Sequence, residues 1–405
     1  MRIRSITCFV HPRWPISELV LGKAGTFARH ARHAFTQGGY PVQTVRLATP
    51  PFPEFLTPQD YAQAAARIEV LAHSEGFEYV ALGPTLTSIP ESYPIIPDLL
   101  AHSGDLFLSG HLTTPHREVS LPAVRACAEV IHQAARLEEN GFANLRFAAL
   151  ANVPPWAPFF PAAYHHGKTP AFALALEAAD LAVSAFTGAP TLQSAQEALI
   201  QAVETHAKTL QNIGQQLADA YQMQFKGLDF TLAPFPEPEI SLGNALEQLG
   251  LPAFGLSGSL AAAAFLTDTL DRAVYQRTGF NGIMLPLLED STLAQRGAQG
   301  VLSITDLLMY SAVCGTGLDT LPLPGDTSVE QLSAVLLDLA ALSLRLDKPL
   351  TARLMPIPGK TAGEQTGFDF EFFANSRVLA LPAEPLTGPF AGDETFSLFP
   401  RQTAE

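Results

Sequence analysis

Short apolar runs rich in Val, Ile and Phe alternate along this chain with longer segments of helical period, and no other feature narrows its fold as much. A strand buried on both faces reads as a brief continuous apolar run, while a helix laid against it shows an apolar stripe at helical spacing. Alternation of the two is the pattern of an α/β protein whose helices cross over between strands. The runs predict strands over 4–10, 42–47, 79–82, 106–108, 145–150, 227–233, 282–288 and 351–356. The periodic segments predict helices over 58–74, 121–140, 191–221, 241–249, 260–278 and 328–346. Thr327-Ser328-Val329-Glu330 has the spacing of a capping box, and Asn140-Gly141 supplies a helix stop.

No repeat of solenoid length and no Gly/Ser-rich linker divides the chain. The pattern therefore predicts one α/β unit over 1–381, with a soft boundary near 140, and a surface tail over 382–405. A Pro-rich stretch over 153–170 follows a strand and is long for a connection. Long ordered loops inside a domain are often functional.

Composition decides the partners. The chain has 405 residues, 24 basic against 39 acidic side chains, and a net charge of −15, which disfavours nucleic acid and anionic membrane as partners. Charged residues make up 16% and apolar residues 47%, so a homo-oligomer is expected to cover the apolar excess. Three cysteines, Cys8, Cys127 and Cys314, are too few and too scattered for a disulfide framework, which points to the cytoplasm. The first residues read as no secretory leader, because Ser5, Thr7 and His11-Pro12 break the apolar run. The longest apolar stretch, 260–266, falls far short of the roughly 20 residues that span a bilayer.

Among motifs, Pro358-Gly359-Lys360-Thr361 looks like the end of a P-loop, but Leu354 occupies the position of its first glycine, and prolines 356 and 358 remove amide donors. Lys360 remains as a lone cation that would hold an anionic group. Glu289 and Asp290 end an apolar run, where α/β folds place catalytic groups, and adjacent strand residues face opposite sides. Either is a catalytic candidate or a cap for the segment after Ser291. Asp229 lies inside a predicted strand, where a charge is costly unless paired or functional. Cys314 sits in a glycine-bounded loop, as a reactive thiol or a small buried hydrophobe. Asp319 and Asp326, with Glu289 and Asp290, make up a candidate set of divalent-metal ligands. Tyr164 and His165, in the long loop, offer substrate-binding and acid–base groups, with plain solvation as the alternative.

The run from Ala312 to Asp319, the Pro324-Gly325-Asp326-Thr327 segment and Pro358 to Glu364 resemble the conserved family known as domain of unknown function seven-eleven. Phe160 to Tyr164, Gly227-Leu228-Asp229 and Leu285 to Asp290 resemble it too. The resemblance implies a barrel-like α/β fold akin to pyruvate formate-lyase and other glycyl radical enzymes, and no particular reaction. Neither Gly388, followed by Pro389, nor Gly392, followed by Asp393, matches the radical-bearing glycine loop of those enzymes, so no stored radical is expected. Cys314 is comparable to their finger cysteine by fold only.

These residues predict an enzyme acting on a small polar or carboxylated metabolite by acid–base chemistry with Asp229, Glu289 and Asp319, assisted by Cys314, in one cavity. A non-catalytic small-molecule binding protein and a divalent-metal enzyme are the alternatives.

Overall fold

In the computed structural model, which describes residues 1–400, the alternation becomes a nine-stranded sheet. The elements are β1 (Arg2–Phe9), α1 (Glu18–Gln37), β2 (Val42–Pro51), α2 (Tyr61–Ser74), β3 (Tyr79–Gly83), α3 (Ile96–Ala101) and β4 (Leu106–His111). Next come β5 (Glu118–Ser120), α4 (Leu121–Ala134), β6 (Phe147–Ala151), β7 (Ala171–Glu177), α5 (Ala179–Phe186), α6 (Leu192–Tyr221) and β8 (Gln224–Ala233). The remainder are α7 (Leu242–Glu247), α8 (Ser259–Arg272), α9 (Ser291–Ala298), α10 (Ile304–Tyr310), β9 (Gly317–Pro324), α11 (Val329–Leu346), β10 (Leu350–Ile357) and β11 (Thr395–Ser397).

The strand order is β8-β7-β1-β2-β3-β4-β6-β10-β9, and β11 of the tail pairs with β5 as a separate ladder. β1, β2, β3, β4 and β6 are parallel neighbours. The parallel pairs β7–β8 and β10–β9 attach antiparallel to β1 and β6. The barrel expectation needs correction, because β8 and β9 end the sheet without pairing with each other. Residues 276–289 run through the gap instead, with one bridge to each edge, Leu228 to Arg277 and Pro286 to Asp319. The strand expected over 282–288 is this irregular segment.

The alternating residues of the strands divide two cores. Phe172, Leu174 and Leu176 of β7 join the main core under the helices, with Ile3, Ile6 and Cys8 of β1. Ala171 and Ala173 face the other way and pack with Phe9, Ala48, Ala81 and Phe107 against Phe160 and Ala163 of the long loop. Alanines leave room for that loop to run along the inner face. They also give β7 weak strand propensity, which hides it in the sequence. β9 was hidden by Pro322 and Pro324, tolerated because it is an edge strand. The α11 capping box is Ser328 with Gln331, at the predicted spacing but one residue further along the chain than Thr327 and Glu330. α4 ends at Ala134, six residues before Asn140, and α8 ends at Arg272. Among the described residues no helix is long and apolar enough to cross a membrane.

Candidate functional site

Side chains from β1, β2, β3, β4, β7, β8 and β10 line one cavity of about 90 Å³, so the sheet curls far enough to bring distant strands together. Its polar lining is Arg4, Gln43, Thr44, Arg46, Asp229, Thr231, Glu289 and Arg353, and its apolar lining includes Tyr79, Phe107, Phe159, Phe160, Phe370 and Phe372. Ladder irregularities set the charged groups. The β1–β7 register slips between Ile3 and Ser5, at Arg4. The β9–β10 register slips between Ala352 and Leu354, so Asp319 and Thr320 together oppose Arg353, with Thr320 at a positive φ of 48°. An extra residue in one strand re-aims a side chain, which is why bulges recur beside sites.

The buried charges form a chain. Arg353 Nε and Nη2 donate to the two oxygens of Asp319, the second at 2.9 Å, and Nη2 also donates to Glu289 Oε1 at 2.8 Å. Arg4 Nη2 donates to Glu289 Oε2, and its Nη1 to the Pro234 carbonyl at 3.2 Å. Burial opposes the charge of Glu289, but Arg4 and Arg353 outweigh it and hold the carboxyl below its usual range. Burial likewise works against Arg353, whose two carboxylate partners nonetheless secure its proton. For Asp319 burial pushes the carboxyl up against the pull of Arg353. Two guanidinium groups and two carboxylates thus neutralise one another.

Arg46 stands outside that balance. Its Nε donates to Thr44 Oγ1 at 2.8 Å, and its guanidinium lies 5.1 Å from the Phe160 ring centre and 5.6 Å from that of Tyr79. Among the described residues its two Nη nitrogens have no hydrogen-bond partner and no carboxylate, while the side chain lines the cavity. Burial and then Arg4 pull its pKa down to about 9, so it is still a cation at neutral pH.

Asp229 lines the cavity from β8. Its oxygens accept the amides of Phe280, at 3.0 Å, and Asn281, at 3.1 Å, and so hold the gap segment in place. Gly279, immediately before them, has φ +74°, and a Cβ there would lie 2.1 Å from Asp229 Oδ2, so only glycine fits this turn. Burial lifts Asp229 to about 7 despite those amide bonds.

The other sequence candidates lie elsewhere. Asp290 is the buried N-cap of α9, accepting from Thr292 and Leu293, and it also accepts the amides of Leu242 and Gly243 and the Ser241 hydroxyl. Cys314 is buried beside a separate cleft of about 410 Å³, and its Sγ accepts the Gly317 amide at 3.4 Å. Lys360 occupies a turn after β10 and donates to the Gln365 carbonyl at 2.6 Å. Asp326 is exposed, so it, Asp290 and the arginine-bound Glu289 and Asp319 do not converge as metal ligands. Among the described residues the cluster with metal-ligand spacing is Glu69, His73 and Asp105, near the surface. Tyr164 donates to the Val153 carbonyl at 2.9 Å and closes the long loop. His165 is fully buried, its amide on the Thr49 carbonyl, with neither ring nitrogen partnered among the described residues.

Of the four catalytic candidates expected in one cavity, Asp229 and Glu289 line it, Asp319 reaches it only through Arg353, and Cys314 lies at the separate cleft, while Arg4, Arg46 and Arg353 escaped the sequence reading. The signal was present, since Arg46 and Arg353 interrupt predicted strands as Asp229 does and Arg4 opens one, and a buried charge demands a partner or a use.

The sequence profile of a family described as "Uncharacterised ACR (DUF711)" matches residues 1–372. A UPF0210 protein of Pyrobaculum aerophilum is 32% identical over 254 residues, covering 61% of this chain and 56% of that protein. UPF0210 proteins of Pyrobaculum islandicum and Pyrobaculum arsenaticum are 28% and 29% identical, each over 80% of this chain and 76% of theirs. The match thus spans little more than half of the first relative. Neither the family description nor these names states a reaction.

Proposed function

We propose that this chain, which belongs to the DUF711 family, binds a small carboxylate in the cavity and moves a proton on it. The observation that carries the reading is Arg46, a cation of the cavity lining whose Nη groups have no partner among the described residues, while the other two guanidinium groups there are spent on carboxylates. A planar guanidinium matches a carboxylate with two parallel hydrogen bonds, and the pair is stronger where water is excluded. The volume admits a ligand of a few heavy atoms, smaller than the benzene that fills a cavity of about 150 Å³. Glu289, held ionised between two arginines, orients Arg4 and Arg353 and carries no proton of its own. Asp229, lifted to about 7, is the group suited to give or take one near neutral pH.

That both Asp229 oxygens already accept amide bonds favours the second reading, a binding protein without chemistry. Kinship with the pyruvate formate-lyase-like fold is likewise a proposal, supported by a long loop running along the inner face of a curled sheet. A homo-oligomer is supported by exposed Leu19, Leu192 and Val274, and light scattering at micromolar concentration tests it.

The test uses calorimetric titration with acetate, propionate, and 2-hydroxy and 2-oxo acids. We expect R46Q to weaken binding about 100-fold, the value of a lost charged pair. Unchanged affinity in R46Q would remove the reading. In deuterated buffer at pH 7, wild type should exchange the α-proton of a bound acid, and D229N should bind without exchanging it. Binding with no exchange in the wild type would leave the binding protein.

A further inference from the structure

Two aromatic side chains of the cavity lining, Phe370 and Phe372, come from a single hairpin. Residues 363–366 and 376–378 form its stalk: the Gly363 amide donates to Val378 O, the Val378 amide to Glu364 O, and the Thr366 amide to Ser376 O, each at 2.9 Å. Asn375 closes the base, accepting the Phe368 amide and the Thr366 hydroxyl at 2.8 Å and donating to Phe368 O at 3.0 Å. Beyond that clamp the tip reads Phe368-Asp369-Phe370-Glu371-Phe372-Phe373. Phe368 and Phe373 are buried anchors, packed with Leu145, Leu288, Met355 and Ile357. Asp369 and Glu371 are exposed, while Phe370 and Phe372 are half-buried and line the cavity.

The tip is tied differently from its stalk. Within 369–372 no backbone amide has a backbone partner, and the nearest tip bonds are Phe373 to Phe370 O at 2.9 Å and Ala374 to Leu288 O at 2.7 Å. A segment with few backbone hydrogen bonds, held by two apolar anchors, opens locally at lower cost than the elements it rests on. Leu288 immediately precedes Glu289, so the tip is attached beside the ionic chain it covers.

We infer that Phe370 and Phe372 are the specificity-determining residues of this site, and that the hairpin tip is the door through which its ligand passes. The inference rests on the carboxylate reading above and narrows it. With the carboxylate on Arg46, a ligand end that rests against these two phenyl rings finds no hydrogen bond there, so that end is uncharged and apolar. With so small a volume behind the rings, it is also short. The substrate class is a short-chain monocarboxylate, and dicarboxylates are excluded because a second carboxylate against the phenyl rings would lose its hydration without compensation.

The experiment titrates acetate, propionate, butyrate, hexanoate and succinate into wild type, F370A, F372A and R46Q. Wild type should prefer propionate to hexanoate by about tenfold or more and should bind succinate no better than buffer. Each Phe variant should reduce or reverse the chain-length preference. If the short acids bind and R46Q loses them, but F370A and F372A keep the wild-type preference, the inference is overturned and the carboxylate reading stands. If no acid binds the wild type, or R46Q binds as wild type does, both fall. Should either Phe variant not fold, amide exchange on the wild type decides the matter. Saturating propionate should slow exchange at 369–372 about tenfold with 363–366 unchanged, and equal exchange with and without propionate overturns the inference.

Discussion

In the first halves of β1 and β2 lie Arg4, bound into the ionic chain of Glu289, Arg353 and Asp319, and Arg46, which has no carboxylate partner among the described residues. At the carboxyl ends of β2 and β4 lie His165, on the Thr49 carbonyl, and His111, against the Tyr164 ring. Both groups are enclosed, yet they keep opposite protonation chemistry. The arginine end stays charged, because opposite charges within hydrogen-bonding distance repay desolvation. The histidine end goes neutral, because burial pushes His111 and His165 down to about 4 and no carboxylate pushes back. Burial alone therefore does not mark a reactive group. What surrounds the group decides whether it keeps a charge for a ligand, gives it to a neighbour, or loses it.

The largest effect should come from breaking the ionic chain at its centre. Arg353→Met leaves Asp319 and Glu289 buried, with Asp319 losing both donors, and losing one partner of a buried pair costs roughly 3–5 kcal/mol. Urea unfolding measures it. R46Q removes no partner from a buried carboxylate and should cost less than about 1 kcal/mol. Similar costs for the two variants would mean that Arg46 is structural and that the distinction drawn between the arginines is wrong.

A second test uses pH, because the two buried histidines and Asp229 push stability in opposite directions. His111 and His165 have folded pKa values of about 4, below the unfolded value near 6.5. Between these limits the unfolded chain binds more protons, so their contribution rises as pH rises from about 4 to 6.5. Asp229 has a folded pKa of about 7, above the unfolded value near 3.9. There the folded chain binds more protons, so its contribution is greatest below about 4 and is lost as pH rises to about 7. H165N should flatten the rising component of the unfolding free energy across this window, and D229N the falling one. If both variants shift the slope in the same direction, the burial effect on one of these groups has the wrong sign.

The fold class was legible because parallel strands buried on both faces must alternate with crossover helices. What stayed hidden were elements whose neighbours override local preference, such as Ala-rich β7 shaped by the loop beneath it and Pro-bearing β9 at an edge. At the site, Asp229 was legible as a charge inside an apolar run and Glu289 as a charge at the end of one, while Asp319 stood out only as a candidate cation ligand. That they are held by arginines from strands far apart in sequence was not, because pairing across a curled sheet leaves no trace in local pattern. Lys360 was singled out for its P-loop-like neighbours, while Arg46 had no motif around it. Cys314 and Asp290 illustrate the same point, since a glycine-bounded loop and a strand end look alike whether they face a cavity or, like Asp290, cap a helix.

The smallest effect should be that of Lys360, and its smallness is informative. Its ammonium donates to the Gln365 carbonyl on a turn after β10, at the stalk of the aromatic hairpin, and does not line the cavity. K360A removes one exposed hydrogen bond and one surface charge, changes that usually lie within about 0.5 kcal/mol. Carboxylate affinity should stay within about twofold of wild type, while R46Q loses about 100-fold. The acidic protein loses one positive charge in either variant, so a general electrostatic attraction of the ligand would weaken binding alike in both. A local guanidinium seat weakens it in R46Q alone. Titrating propionate into the two variants at two ionic strengths separates these cases, and equal losses that shrink together with added salt would replace the seat by a diffuse field.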